Sequence, residues 1–132
     1  MEFGHYQLAA FVLMANHVHV LLQPLLPPSR LLKSLKGYTA REANRLLGGT
    51  GEPFWQRESN DHCVRNEAEW TRIVGYIESN PVKAGIVRRP EEYRWSSAHP
   101  TWQAQLSGTR ADKSVGSART SACATIEGNS EA

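Results

Sequence analysis

Residues 6–13 form a mostly apolar run, Tyr6 to Leu13, and His17, Val18, His19 and Val20 then alternate polar with apolar. This pattern predicts two strands, 6–13 and 17–23, meeting at Met14-Ala15-Asn16. Pro24, Pro27 and Pro28 end the second strand, because proline offers no N–H to a ladder. Ser29 is placed to cap a helix over 30–47, on which Leu31, Leu35, Tyr38, Glu42 and Leu46 fall near one stripe. Gly48, Gly49, Gly51 and Pro53 close that helix and open a loop. Phe54-Trp55-Gln56 is an aromatic patch, and 61–65 reads as a short third strand. Asn66 is placed to cap a second helix over 67–80, with Trp70, Ile73, Val74 and Ile77 on its apolar face. Asn80-Pro81 is expected to break that helix, with another helical turn over 82–87. Residues 90–102 extend it with Tyr93, Trp95 and Trp102 available to pack. From Gln103 onward Gly, Ser, Ala and Thr dominate without periodicity, which predicts a disordered tail over 103–132 after a domain over 1–102.

Composition bounds this picture without deciding function. With 132 residues, 40% hydrophobic and 21% charged, the chain suits one soluble domain with a modest core. A formal net charge of +2 permits phosphate binding and does not require it. The chain has no run of about 18 apolar residues, the length that would span a membrane, and the first residues lack the pattern of a signal peptide. Cys63 and Cys123, without CxxC spacing, fit a reducing cytoplasm better than a disulfide framework.

Two constellations carry possible chemistry. His17 and His19 lie two apart on a strand, so their imidazoles share one face and can reach one divalent cation. Spacing alone leaves open a solvent-facing pair. Tyr76 and Asn80 lie four apart on the flank of the second helix's apolar stripe. Spacing leaves open there a boundary tyrosine and an asparagine that merely ends a helix.

Read as ordered strings, these residues narrow. Met14-Ala15-Asn16-His17-Val18-His19-Val20-Leu21-Leu22 resembles the MPNHVHLLL signature of the single-tyrosine HUH transposases. The segments over 38–47, 53–59 and 76–85 resemble successive blocks of the REP-associated subgroup, and Trp95-Ser96-Ser97-Ala98 matches its closing string. The resemblance covers about residues 5–98, in order. It implies an α+β fold, a ferredoxin-like antiparallel sheet with helices on one face. It implies that His17 and His19, with Asn80 as third ligand, hold Mg²⁺ or Mn²⁺. Tyr76 would be the nucleophile, forming a 5′-phosphotyrosine on single-stranded DNA hairpins, with the chain a monomer or homodimer in the cytoplasm or on the nucleoid. Arg41, Arg45, Arg65 and Lys83 are candidate phosphate contacts. Tyr38 competes as nucleophile but lies on the stripe with Leu31 and Leu35, where packing explains it better.

Three departures from the family pattern stand out. Ala15 replaces a usual proline, and Asn60 and Cys63 stand where relatives commonly carry Tyr and Trp. Relatives also usually begin with another strand and helix, so a sheet lacking them is expected to expose an edge and part of a hydrophobic face. Two alternatives follow: a non-catalytic DNA-binding remnant, or a truncated fragment that folds poorly.

Overall fold

The hairpin read from the alternation is present in the computed structural model, which describes residues 6–24, 27–49, 51–111 and 122–128. Strand β1 (Tyr6–Leu13) and strand β2 (His17–Pro24) pair antiparallel, and the Met14 N–H donates to the His17 carbonyl at 2.8 Å to close the turn. A bulge between Leu8 and Ala10 lets both Ala9 and Ala10 be buried. Beyond it, register places Phe11 opposite Val20 and Val12 opposite His19. Successive residues therefore serve opposite faces.

Both faces of this hairpin are apolar, and that decides the architecture. Phe11, Val20 and Leu22 pack with Leu31 and Leu32 of helix α1 (Pro28–Leu47) and Leu106 of helix α3 (Pro100–Ala111). Ala10, Val12 and Leu21 pack instead with Val64 and with Trp70 and Ile77 of helix α2 (Glu67–Lys83). The α+β class expected from the sequence is present, but the helices do not share one face. A strand pair with two apolar surfaces needs a cover on each.

Strand β3 (Trp55–Cys63) and strand β4 (Ala122–Gly128) complete an antiparallel sheet of order β1-β2-β4-β3. The expected third strand over 61–65 is longer and earlier. The expected boundary at residue 103 falls inside α3, and part of the segment read as a disordered tail pairs with β2 on one side and β3 on the other. Two facing rows of strand backbone can recruit a segment whose side-chain pattern is weak. The end of β1 is covered on its outer edge by residues 95–97. The Leu13 N–H donates to the Trp95 carbonyl at 2.8 Å, the Ser97 N–H to the Phe11 carbonyl at 2.9 Å, and Val12 bridges Ser96.

Helix boundaries shift for local reasons. Helix α1 begins at Pro28, with no side-chain capping bond, because proline at the first helical position loses no needed N–H. It ends on Gly48 at φ 77°, a left-handed conformation suited to glycine. Its expected stripe is only partly used: Leu31 is buried and Leu35 packs against the same cluster, whereas Leu46 is 76% exposed, and Leu32, outside the stripe, is buried as well. Between α1 and the sheet lies an apolar cleft of about 410 Å³ lined by Phe11, Leu22, Leu35 and Trp55 among others. Polar ties hold α1 to the start of β3 and to the loop before it: Trp55 Nε1 donates to Thr39 Oγ1 at 2.8 Å and Asn44 Nδ2 to the Glu52 carbonyl at 2.7 Å. Asn66 caps α2 as expected, accepting from the Glu69 N–H at 2.8 Å. Pro81 does not break α2, which continues to Lys83. Buried and close to the end, it forfeits one backbone bond, while the Ala84 N–H still reaches the Asn80 carbonyl at 3.0 Å.

Candidate active site

The face of the sheet beneath α2 carries both histidines. His19 lies opposite Val12 of β1 and Thr125 of β4, on a strand paired along both edges, and is only 7% exposed. His17, two residues back on the same face, packs edge-on against it with ring centroids 4.8 Å apart. Asn16 Oδ1 lies 2.8 Å from His17 Nδ1. An amide oxygen only accepts, so this contact assigns the hydrogen to Nδ1 and leaves Nε2 a lone pair. That is the usual support for a metal-binding imidazole.

Helix α2 crosses above. Its inner stripe of Trp70, Ile77 and Pro81 is buried, which turns Tyr76 to the flank, half-exposed, with its ring edge-on to His19 at 5.6 Å between centroids. Residues 57 positions apart in sequence thus meet across strand and helix. Lys83, two turns further along α2, holds its ammonium 4.9 Å from the Tyr76 ring centroid. Asn80, half-buried, stands one turn beyond Tyr76.

What sets the height of α2 is a group the sequence reading did not assign. The Ser97 hydroxyl donates to Glu78 Oε2 at 2.5 Å and accepts from the Phe11 N–H at 3.1 Å, tying α2 to the edge of β1. The Tyr93 hydroxyl donates to the Leu13 carbonyl at 2.6 Å, just before the turn that leads to the histidines. The string containing Ser97 was visible as a match, but nothing in its spacing reveals a partner 86 residues away. At the start of α2, Glu69 accepts from His62 Nε2 at 2.7 Å and from the Arg65 N–H at 3.1 Å. The His62 bond, foremost among these contacts, holds the Glu69 carboxyl below its ordinary range.

The candidate cations divide. Lys83 is at Tyr76. Arg41 and Arg45 are on α1, across the sheet from the histidines; Arg45 is engaged by Glu42 at 2.7 Å, and Arg41 lies back toward Gly37. Arg65 sits exposed just before α2. Tyr38 is half-buried on α1 and therefore also across the sheet from the histidines. Among the described residues, no group of three His, Cys, Asp or Glu side chains is placed to hold a metal. The side chains of this region with donors a divalent ion could accept are His17 and His19, packed together on one strand, and Asn80, one turn beyond Tyr76 on α2.

The histidine pair on β2 thus faces a tyrosine on α2. Residues 2–80 match the family described as IS200-like transposases, and the chain belongs to that family. Over 114 residues it is 25% identical to a Haemophilus influenzae protein named as a REP-associated tyrosine transposase, a match covering 76% of this chain. The chain spans 64% of the length of that relative. No solved structure matches. Among the described residues no helix is long and apolar enough to cross a membrane.

Proposed function

We propose that this chain cuts and rejoins single-stranded DNA at hairpin-forming repeats, with Tyr76 as nucleophile. The observation that carries the reading is the contact of Tyr76 with His19, itself packed on His17. The phenolate oxygen of Tyr76 bonds to phosphorus as the bond from phosphorus to the 3′ oxygen breaks. The phenolic proton is lost, the 3′ oxygen gains one, and the products are a 5′-phosphotyrosine and a free 3′-hydroxyl. Because the phosphoester is retained, the 3′-hydroxyl of the same or another strand can reverse the step.

His17 and His19, with Asn80, are the residues that would hold Mg²⁺ or Mn²⁺. Such an ion supplies charge that polarises the scissile phosphate. Asn16 orients His17, and burial fixes His19, so the imidazoles need little rearrangement to bind. Lys83 sets a positive charge beside a group that turns negative as it attacks. The nucleoid, as the place where the DNA lies, follows from the substrate.

The test is a denaturing gel of the full chain with a labelled single-stranded hairpin oligonucleotide, with and without Mn²⁺. A metal-dependent adduct that disappears in Tyr76→Phe, while the variant keeps its fold and its DNA binding, is the expected result. An adduct that survives in Tyr76→Phe would overturn the assignment. Hairpin binding without any adduct would favour a remnant that recognises DNA and no longer cuts.

A further inference from the structure

Helix α2 carries a second stripe that packing does not explain. Arg72, Gly75, Ser79 and Lys83 follow one another at helical spacing along its outer flank, and Tyr76 stands at the margin of that line. Together with Ile73 they line a shallow concavity of about 520 Å³. Arg72 is 75% exposed and makes only a loose 3.7 Å contact with Glu69, a carboxylate already engaged by His62 and the Arg65 N–H. Gly75 is exposed in mid-helix, and a Cβ added there would meet nothing within 4 Å, so no neighbouring side chain demands glycine. Ser79 lines the same hollow, and its hydroxyl donates to the Tyr76 carbonyl at 3.2 Å.

From this arrangement we infer that the outer flank of α2 is the track on which the single strand lies, with Lys83 beside the phosphate at Tyr76 and Arg72 holding a neighbouring phosphate. Arg72 and Lys83 are eleven residues apart, about 16 Å along the helix axis between their backbone positions, and the Lys83 ammonium reaches back to 4.9 Å from the Tyr76 ring centroid. One lies before Tyr76 in the chain and one after it, so a strand bound by both runs parallel to the helix and passes the tyrosine. Gly75 leaves the backbone of that strand space to approach α2 beside the nucleophile, and the Ser79 hydroxyl can turn to donate to a phosphate oxygen. The track rests on the reading of Tyr76 as nucleophile and adds to it Arg72, an alignment of the strand along α2 and a reason for Gly75.

The test is the affinity of the full chain for a fluorescent single-stranded oligonucleotide, by anisotropy, over a series of salt concentrations. Loss of one phosphate contact lowers the salt slope for single strands by about 0.7, so Arg72→Ala is expected to weaken binding about fivefold at 0.1 M salt. Gly75→Leu is expected to weaken binding without lowering the melting temperature. Arg30→Ala, an exposed change on α1 across the sheet, is expected to keep the wild-type slope. Wild-type slope and affinity in Arg72→Ala would overturn the track, and so would a wild-type chain that does not bind the oligonucleotide. The two readings fail separately. Normal covalent adduct formation with an unchanged slope in Arg72→Ala removes the track alone, whereas the predicted slope change without any adduct removes the nucleophile and keeps the track.

Discussion

At the scale of single residues, the site depends on side chains that touch no substrate. Asn16 fixes the tautomer of His17, and partners that orient a ligating imidazole typically change metal affinity 10- to 100-fold when removed. Asn16→Ala is therefore expected to weaken Mn²⁺ binding by about that factor without lowering thermal stability, as titration calorimetry would measure; unchanged affinity would show that His17 needs no such support. Glu69 is the other residue with a distinct signature. Its carboxyl is held below its ordinary range chiefly by the bond from His62, so the folded state favours the ionised form. The stabilisation is present above the pKa of the unfolded chain and is lost as pH falls through the lower folded value. Glu69→Gln should melt lower than wild type at neutral pH, and the gap should close in acid below the usual carboxylate range. A gap independent of pH would contradict this.

At the scale of elements, α2 is where packing and function compete. Gly75 costs a helix interior roughly 0.5–1 kcal/mol relative to alanine. Gly75→Ala is expected to raise unfolding stability by about that amount in denaturant titration, since the added methyl meets open space. A loss of stability would mean that the helix needs glycine for its own geometry. The strands of the hairpin, α2, the Asn66 cap and the histidine pair were legible, because each rests on local periodicity or on residues within a few positions of one another. The run of α2 through Pro81 to Lys83 was not read from the sequence, because the damage proline does depends on how many backbone bonds follow it, and here few do. The exposure of Leu46 was equally hidden. A stripe gives the direction of a helix face but not whether a sheet extends far enough to meet it. Likewise, the four candidate cations were equivalent as sequence, and only the opposite faces occupied by α1 and α2 separate Lys83 from Arg41 and Arg45.

At the scale of the whole molecule, the sheet is held together by pairings between distant parts of the chain. Strand β4 lies between β2 and β3, and among the described residues β3 has no other strand partner. Ending the chain at Ala111 removes that bridge and exposes backbone on both neighbours, so its thermal transition should be lower and less cooperative than that of the full chain. An unchanged melt would show that β4 contributes nothing. This strand and the Ser97 tie to Glu78 escaped sequence reading for one reason: both depend on what backbone or side chain is left unpaired elsewhere. The central claim is that these long-range contacts deliver Tyr76 to the histidine pair as a nucleophile. Its most direct test is to digest the Mn²⁺-dependent adduct with trypsin and locate the nucleotide by mass spectrometry. Cleavage after Arg72 and Lys83 releases Tyr76 on the peptide of residues 73–83. Nucleotide carried there through Tyr76 is the predicted result; nucleotide on the peptide of residues 37–41, which carries Tyr38, would contradict the account.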